Sequence, residues 1–455
     1  MKGDSNPVPT PMPFAILPED DNPPARHCAQ AGHVPRMLDD LEYIPLPTPG
    51  TYLSFGGEVR QYYEYYDNEL WGKLPSGDGY LLQRYLFHLD ARVARAVRVF
   101  VELNSNFAGA RQGGPRPAID KDRFDINSAF LDLDVARKSS GDPLATLRYG
   151  REQLDFGAGR LISAREGPDG QGPSVLLDFD GPRVTVRPGA WQISAYAVKP
   201  VLNEPGSFDD FPDPTESLTG IYAASAPPMA RTPGVDLYLL NVTRAHAAFA
   251  RGTASERRYT YGARAFANKP DFDYDVELIG QFGTFGNVPI HAYEAAVNLG
   301  TAFGNMRRPR VGVEAGISSG DRGDAGQMTA FSAPSPRGFY FGLASPLGPT
   351  NVAGVEPNVT FPIGPTVRVE ANDYFFWRQS RFDGLYGPTE MPIRPAAADG
   401  AAYIGQQPEI VVHWNPDVHV GLNVAYSRFL TGPYFATTPP RSNVDYVASW
   451  IRFRF

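Results

Sequence analysis

Apolar and polar residues alternate one by one along most of this chain, and the alternation is clearest at its end. Counting back, Phe455, Phe453, Ile451, Ser449 and Val447 share one side of an extended strand, and Arg454, Arg452, Trp450, Ala448 and Tyr446 share the other. Successive side chains of a strand point to opposite faces, so this split is geometric. Two arginines on one face and an aromatic, aliphatic set on the other fit a membrane barrel strand, greasy toward lipid and charged toward a wet lumen. An arginine at mid-bilayer on the lipid face costs about 2–4 kcal/mol, which fixes the parity.

The same rhythm starts at Thr51, where Leu53, Phe55, Gly57 and Val59 alternate with Ser54, Gly56, Glu58 and Arg60. It returns around 81–90, 97–104, 126–135, 144–153, 178–187, 190–200, 217–225, 235–243, 259–266 and 274–282, then at 290–303, 309–319, 351–361, 366–378, 402–414, 417–430 and 444–455. The count is about eighteen, an even number suited to a closed bacterial barrel. The expected fold is all-β, a transmembrane antiparallel β-barrel over residues 49–455. Residues 1–48, rich in Pro and Asp, read as a leader lying in or under the barrel. Gly/Pro-rich stretches at 105–123, 155–173, 201–216, 226–234, 320–350, 380–400 and 431–443 form the longer connections. Long extracellular loops and short periplasmic turns match this class. Two positions strain the pattern: Asp373 shares parity with Val369 and Phe375, and Pro408 cannot donate to a sheet ladder. A bulge or a rim position would accommodate Asp373.

Composition changes the picture in three ways. No run approaches the roughly 18 apolar residues of a membrane helix, and a mean hydropathy of -0.30 is compatible with strands that are half polar. A net charge of -8 argues against nucleic acid as a partner. Cys28 is the only cysteine, so it reads as an incidental thiol and no internal disulfide can form. Met1-Lys-Gly-Asp-Ser-Asn-Pro7 lacks the apolar run of an export signal, so the signal of a bacterial outer-membrane protein is expected to have been removed.

Catalytic signatures are scarce: there is no His-Glu-x-x-His, no Gly-x-Ser-x-Gly and no phosphate-binding Gly-Lys-Ser/Thr loop. No enzyme activity and no cofactor are expected. His88 and His413 read as lumen or rim residues. Asp321 and Asp324, in a Gly-rich loop, are weak calcium candidates beside the plainer reading of a solvated acidic loop. The inward face is richer. By parity Arg60, Arg84, Arg92, Arg98, Arg148, Arg264, Arg310, Arg368, Arg378, Arg452 and Arg454 point into the lumen, as do Glu58, Asp90, Glu102, Asp132, Glu277, Glu314 and Glu370. These groups either pair across strands and hold a wet interior together, or leave some arginines free as an electropositive ladder for an anion. The residues alone leave both open.

Gly79-Tyr-Leu-Leu-Gln-Arg-Tyr85, Leu147-Arg-Tyr-Gly-Arg-Glu-Gln-Leu154 with Gly159-Arg-Leu161 and Arg165-Glu-Gly-Pro168, and Ser318-Ser-Gly-Asp-Arg322 occur in this order, followed by Phe375-Phe-Trp-Arg-Gln-Ser380 with Asp383-Gly-Leu-Tyr-Gly-Pro388. Together they resemble the alginate export family of outer-membrane porins, over nearly everything after residue 43. The resemblance implies an eighteen-stranded barrel whose arginine-lined pore passes anionic polyuronate, with Arg84, Arg151, Arg165 and Arg378 as pore candidates. Arg148 and Arg151 have opposite parity, so both face inward only if the strand bulges or ends between them. The pore-lining set is therefore Arg60, Arg84, Arg148, Arg151, Arg165, Arg368, Arg378, Arg452 and Arg454.

The expected function is an outer-membrane channel for an anionic, alginate-like polysaccharide. A porin for small carboxylates or oligosaccharides is the alternative, and a barrel enzyme acting on lipid or polysaccharide a more distant one. Expected partners are the polysaccharide or a carboxylate solute, the lipid bilayer with its lipopolysaccharide, and periplasmic export proteins.

Overall fold

The structure, a computed structural model, describes residues 14–30, 38–116, 119–225, 233–304, 308–338, 340–344 and 346–455. The stretch Met1-Pro7 and the side chain of Cys28 lie outside the described residues. Alternation becomes strand at every place the sequence marks it. The strands are β1 Tyr52–Asp67, β2 Asp78–Val93, β3 Val97–Gly109, β4 Asp122–Arg137, β5 Pro143–Gln153 and β6 Asp178–Val186. Next come β7 Trp191–Leu202, β8 Glu216–Ser225, β9 Gly234–Phe249, β10 Gly252–Asn268, β11 Phe272–Phe285 and β12 Val288–Ala302. The last six are β13 Arg310–Ser318, β14 Val352–Pro362, β15 Val367–Arg378, β16 Tyr403–Trp414, β17 Val420–Thr431 and β18 Val444–Arg454. Each pairs antiparallel with the next, and β1 closes on β18, giving a closed eighteen-stranded barrel with no free edge.

Closure fixes the parity read from the final strand. Val59, Gln61 and Tyr65 face Phe453, Ile451 and Val447 on the outside, while Glu58, Arg60 and Tyr62 face Arg454, Arg452 and Trp450 within. Ile451 is 42% exposed to the outside and Trp450 only 3%. Inside, the Tyr62 and Trp450 rings stack with centroids 4.8 Å apart. Outside, Trp414 stands at the turn end, and Trp377 packs on Tyr403 near the loop end (centroids 5.4 Å). Aromatic residues at both heights are what interfacial girdles require.

Long loops and short turns segregate with two departures. The 226–234 stretch, expected among the long loops, joins β8 to β9 at the end that also carries the tight turns 94–96 and 187–190. Conversely, β9–β10 and β11–β12 are joined by two-residue turns at the loop end. The turn end is periplasmic by this asymmetry.

Asp373 keeps its outward parity. The Gln406 amide donates to both its carboxylate oxygens (3.0 and 2.8 Å), and the one ladder irregularity between β15 and β16 falls further along, at Phe376/Trp377. Pro408 lies directly opposite Asp373, so the missing N–H falls beside a carboxylate that already has a donor. Ahead of the barrel, residues 14–30 include a helix, Pro23–Gln30, where the sequence had shown no period.

Candidate functional site

Cross-strand register gathers six of the inward arginines into two rows. In the first, Arg60 on β1 stands directly opposite Arg452 on β18 and, on its other side, directly opposite Arg84 on β2. Strands lie about 4.8 Å apart, so three guanidinium groups share one height of the wall. In the second, nearer the turn end, Arg98 on β3, Asp132 on β4, Arg148 on β5 and Arg183 on β6 are successive opposite partners, with Arg92 on β2 facing Arg98. Like charges directly opposite destabilise a sheet unless something stands between them.

At the first row that something is a loop. The β5–β6 connection, residues 154–177, folds back into the barrel. Arg60 donates to the carbonyls of Gly170 (2.8 Å), Gly172 (3.1 Å) and Pro173 (2.8 Å), and makes no contact with a carboxylate among the described residues. Arg84 grips Glu166 by two nitrogens (2.7 and 2.9 Å) and Glu58 from its own wall by Nε (2.9 Å). Arg452 donates to Pro168 O (2.7 Å), and Trp450 Nε1 to Asp169 O (2.8 Å). Arg368 on β15 pairs with the Asp169 carboxylate and with Glu370 (3.0 Å). Buried His413 lies beside both acids, and its Nδ1 donates to Asn423 Oδ1 (2.7 Å).

The same loop reaches the far wall with a charge of the opposite sign. Its Arg160 meets Glu277 on β11 and Glu314 on β13, each at 3.3 Å, and lies 4.5 Å from the Tyr340 ring centre. Glu314 faces Glu356 directly across β13–β14, so carboxylates meet here as guanidinium groups meet at the first row. The loop after β13, residues 319–351, lies alongside: Ser163 and Arg337 bond the two loops through backbone N–H groups (2.9 Å each). Arg258 and Gln281 of the wall donate to the Ala330 and Ser332 carbonyls. The lumen is thus crossed by a loop clamped to arginines at one side and to glutamates at the other.

Arg165 differs from the rest. It sits on the crossing loop, half-buried, with φ +69°, and its side chain makes no hydrogen bond or ion pair among the described residues. Burial pulls its affinity for the proton below the ordinary arginine value, and Glu216 and Asp178 only partly oppose this. Positive φ is uncommon for a non-glycine residue and marks a position held by its surroundings.

Three expected sites look different in the structure. Arg151 does not join Arg148 in the lumen row. Register sets it opposite Ala129 and Asp180, on the other side of the strand from Arg148. It bonds Asp180 (2.9 Å) and the carbonyls of Ile126 and Asp210, stitching the wall where 206–208 runs beside 123–125. Neither bulge nor strand end flips it, because the register runs unshifted from Arg148 to Arg151 against both neighbouring strands. Between them Gly150 has φ +142° and would place a Cβ 2.2 Å from the Ala129 carbonyl oxygen. Arg378 holds the 379–402 connection, donating to the carbonyls of Arg381, Ala397, Gly400 and Ala401. Asp321 is neutralised by Arg251 (2.9 Å), and Asp324 accepts from its own loop at Gly326, so the two do not converge on a cation. Among the described residues, the acids that do converge are Asp125, Asp209 and Asp210, a trio with no sequence signature because they come from β4 and the β7–β8 connection. Arg454, at the turn end, donates to Ala15 O (2.7 Å).

A closed antiparallel barrel, apolar outside and ionic within, with its loops folded into the lumen, defines a bacterial outer-membrane barrel protein. Residues 51–449 match the family described as alginate export, and the chain belongs to that family. Among solved structures it resembles OpdO of Pseudomonas aeruginosa, with a TM-score of 0.59 and 11% identity over 89% of this chain and 97% of that one. It also resembles OpdK of the same organism, with a TM-score of 0.56 and 12% identity over 89% and 98%. A third is P. aeruginosa OccK2 (OpdF) in complex with glucuronate, with a TM-score of 0.55 and 8% identity over 89% and 98%. At these identities the likeness establishes the fold alone. A comparison with curated protein sequences gives no match. The family and these neighbours are transport channels and porins.

Proposed function

We propose that this outer-membrane channel passes anionic polysaccharide, a polymer of uronate units, along its inward arginines. The observation that carries the reading is the row Arg452–Arg60–Arg84. Its three guanidinium groups are held at one height, and their partners include a carboxylate and carbonyls of a loop. A guanidinium fork donates two bonds to one carboxylate, so a uronate can take the place of Glu166 or of a loop carbonyl without loss of bonding. Contacts that are numerous and individually exchangeable let a chain slide from one arginine to the next. Arg165, unpaired on the crossing loop, is the guanidinium most available to it.

The test is current through the purified protein in a planar bilayer. Oligouronate is expected to block it, at lower concentration for longer chains, and R60A or R84A is expected to weaken the block. Block that is independent of chain length would contradict a polymer path. A second reading, a channel for small carboxylates, is favoured by the glucuronate bound to OccK2. On that reading monomeric glucuronate blocks as well as its oligomers do, molecule for molecule.

A further inference from the structure

The second arginine row opens on a cavity of about 330 Å³ at the turn end of the barrel. Six arginines border it, Arg92, Arg95, Arg98, Arg148, Arg183 and Arg187. The wall itself offers Asp132 and Asp134 to the cavity, while Glu19, Asp20 and Asp21 come from the segment ahead of the barrel. Asp90 pairs with Arg98 (2.9 Å) and Glu152 with Arg148 and Arg183 (2.9 and 2.6 Å), so without that segment the mouth would keep a modest excess of arginine.

The segment is docked by its backbone more than by its charges. Arg98 Nη2 donates to the Glu19 carbonyl (2.9 Å) and Arg454 Nη1 to the Ala15 carbonyl (2.7 Å). Arg26 stacks 3.8 Å over Phe14, and pairs with Asp21 (2.8 Å) inside the segment. The Glu19 side chain, 4% exposed, enters the arginine row, yet its nearest approach to Arg148 Nη1 is 3.5 Å and neither oxygen has a hydrogen bond. Arg183 Nε, bordering the same cavity, is a buried donor without an acceptor. Burial pushes the Glu19 carboxyl up to about 8, with Arg148 opposing and Asp20 and Glu152 reinforcing. A carboxyl group, largely protonated at neutral pH, therefore sits at the row in poor geometry, beside an unused donor. An incoming carboxylate free to orient would bond better than the group already there.

We propose that this cavity is a periplasmic binding site for a uronate carboxylate, and that residues 14–26 are its internal occupant, displaced when the chain arrives. The proposal rests on the pore reading above and adds a first contact site with a built-in competitor. The mouth is closed at rest by a segment that mimics the cargo, and the cargo lifts it.

Labelling tests this in the full chain. Cys28 is replaced by serine and a single thiol is placed in the docked segment (C28S/L17C), with correct folding checked by heat-dependent gel mobility. Leu17 is 5% exposed, so a maleimide should react slowly at rest. Hexauronate should speed labelling at least about tenfold, half-maximally at the concentration that half-blocks the current. The half-buried neighbour Ala15 (C28S/A15C) reports the same event if L17C folds poorly. Current block with unchanged labelling at both positions would overturn the proposal and leave the pore reading standing. Neither block nor faster labelling would remove both.

Discussion

Arg84 and Arg165 carry the same group in opposite circumstances, and the difference sets what their loss should do. Arg84 is 1% exposed and bound by two carboxylates, Glu58 and Glu166. R84A removes the closest partner of both acids and leaves Glu166 only the longer Arg452 contact (3.5 Å), so it should cost up to about 3–5 kcal/mol and lower the temperature of heat-dependent gel shift. R165A breaks no hydrogen bond or ion pair, so it should cost less than about 1 kcal/mol while reducing anion preference of the current. Equal thermal losses in the two variants would contradict these roles. Glu19 gives a pH dependence. Its docked carboxyl, at about 8, lies above the ordinary 4.5, so docking is favoured in full below 4.5 and loses that support as pH rises through 8. The groups facing it are Arg98, Asp132, Arg148, Glu152 and Arg183, with Asp20 on its own segment. Labelling at position 17 should therefore rise between pH 7 and 9 more steeply than the increase in thiolate alone gives any cysteine, and E19Q should remove that excess. A profile with Glu19 in place that matches the E19Q profile would count against the docked geometry.

Single strands show what could be read from residues and what could not. On β18 the parity of Arg452 and Arg454 against Ile451 and Phe453 was legible, because the lipid face tolerates no arginine near its middle. What β18 could not reveal was its partner register. That Arg452 faces Arg60, and Arg60 faces Arg84, depends on how far each strand slides past the next, and three inward arginines from three strands carry no mark of sharing a height. Arg151 was misplaced for a related reason. Its motif suggested the lumen, but side-chain direction follows strand parity, and the register runs through Gly150 without a shift that would flip it. That glycine is testable: G150A would press a Cβ to 2.2 Å from the Ala129 carbonyl. It should cut the yield of heat-resistant barrel sharply, whereas G109A, with its nearest contact at 4.0 Å, should not.

At the scale of the molecule, each side of the lumen is an ion-pair network rather than a wall of one sign. Arginines of β18, β1, β2, β3, β5 and β6 stand among Glu58, Asp90, Asp132 and Glu152, while Glu277, Glu314 and Glu356 of β11, β13 and β14 stand near Arg264 and Arg310. The 154–177 loop carries Glu166 to the first side and Arg160 to the second. The crossing itself was invisible in the chain, since a Gly/Pro-rich loop reads alike whether it stands in solvent or folds inward. Its partners were visible as inward residues with no evident counterpart. Net selectivity is then a property of the groups along the path that protein partners leave exchangeable, the Arg452–Arg60–Arg84 row and Arg165 among them.

The most direct measurement is the reversal potential of the reconstituted barrel under a tenfold salt gradient. The arginine rows predict anion preference, weakened in the R60A variant. Cation preference, unchanged by R60A, would mean that the glutamates set the path and that the arginines merely hold the loop.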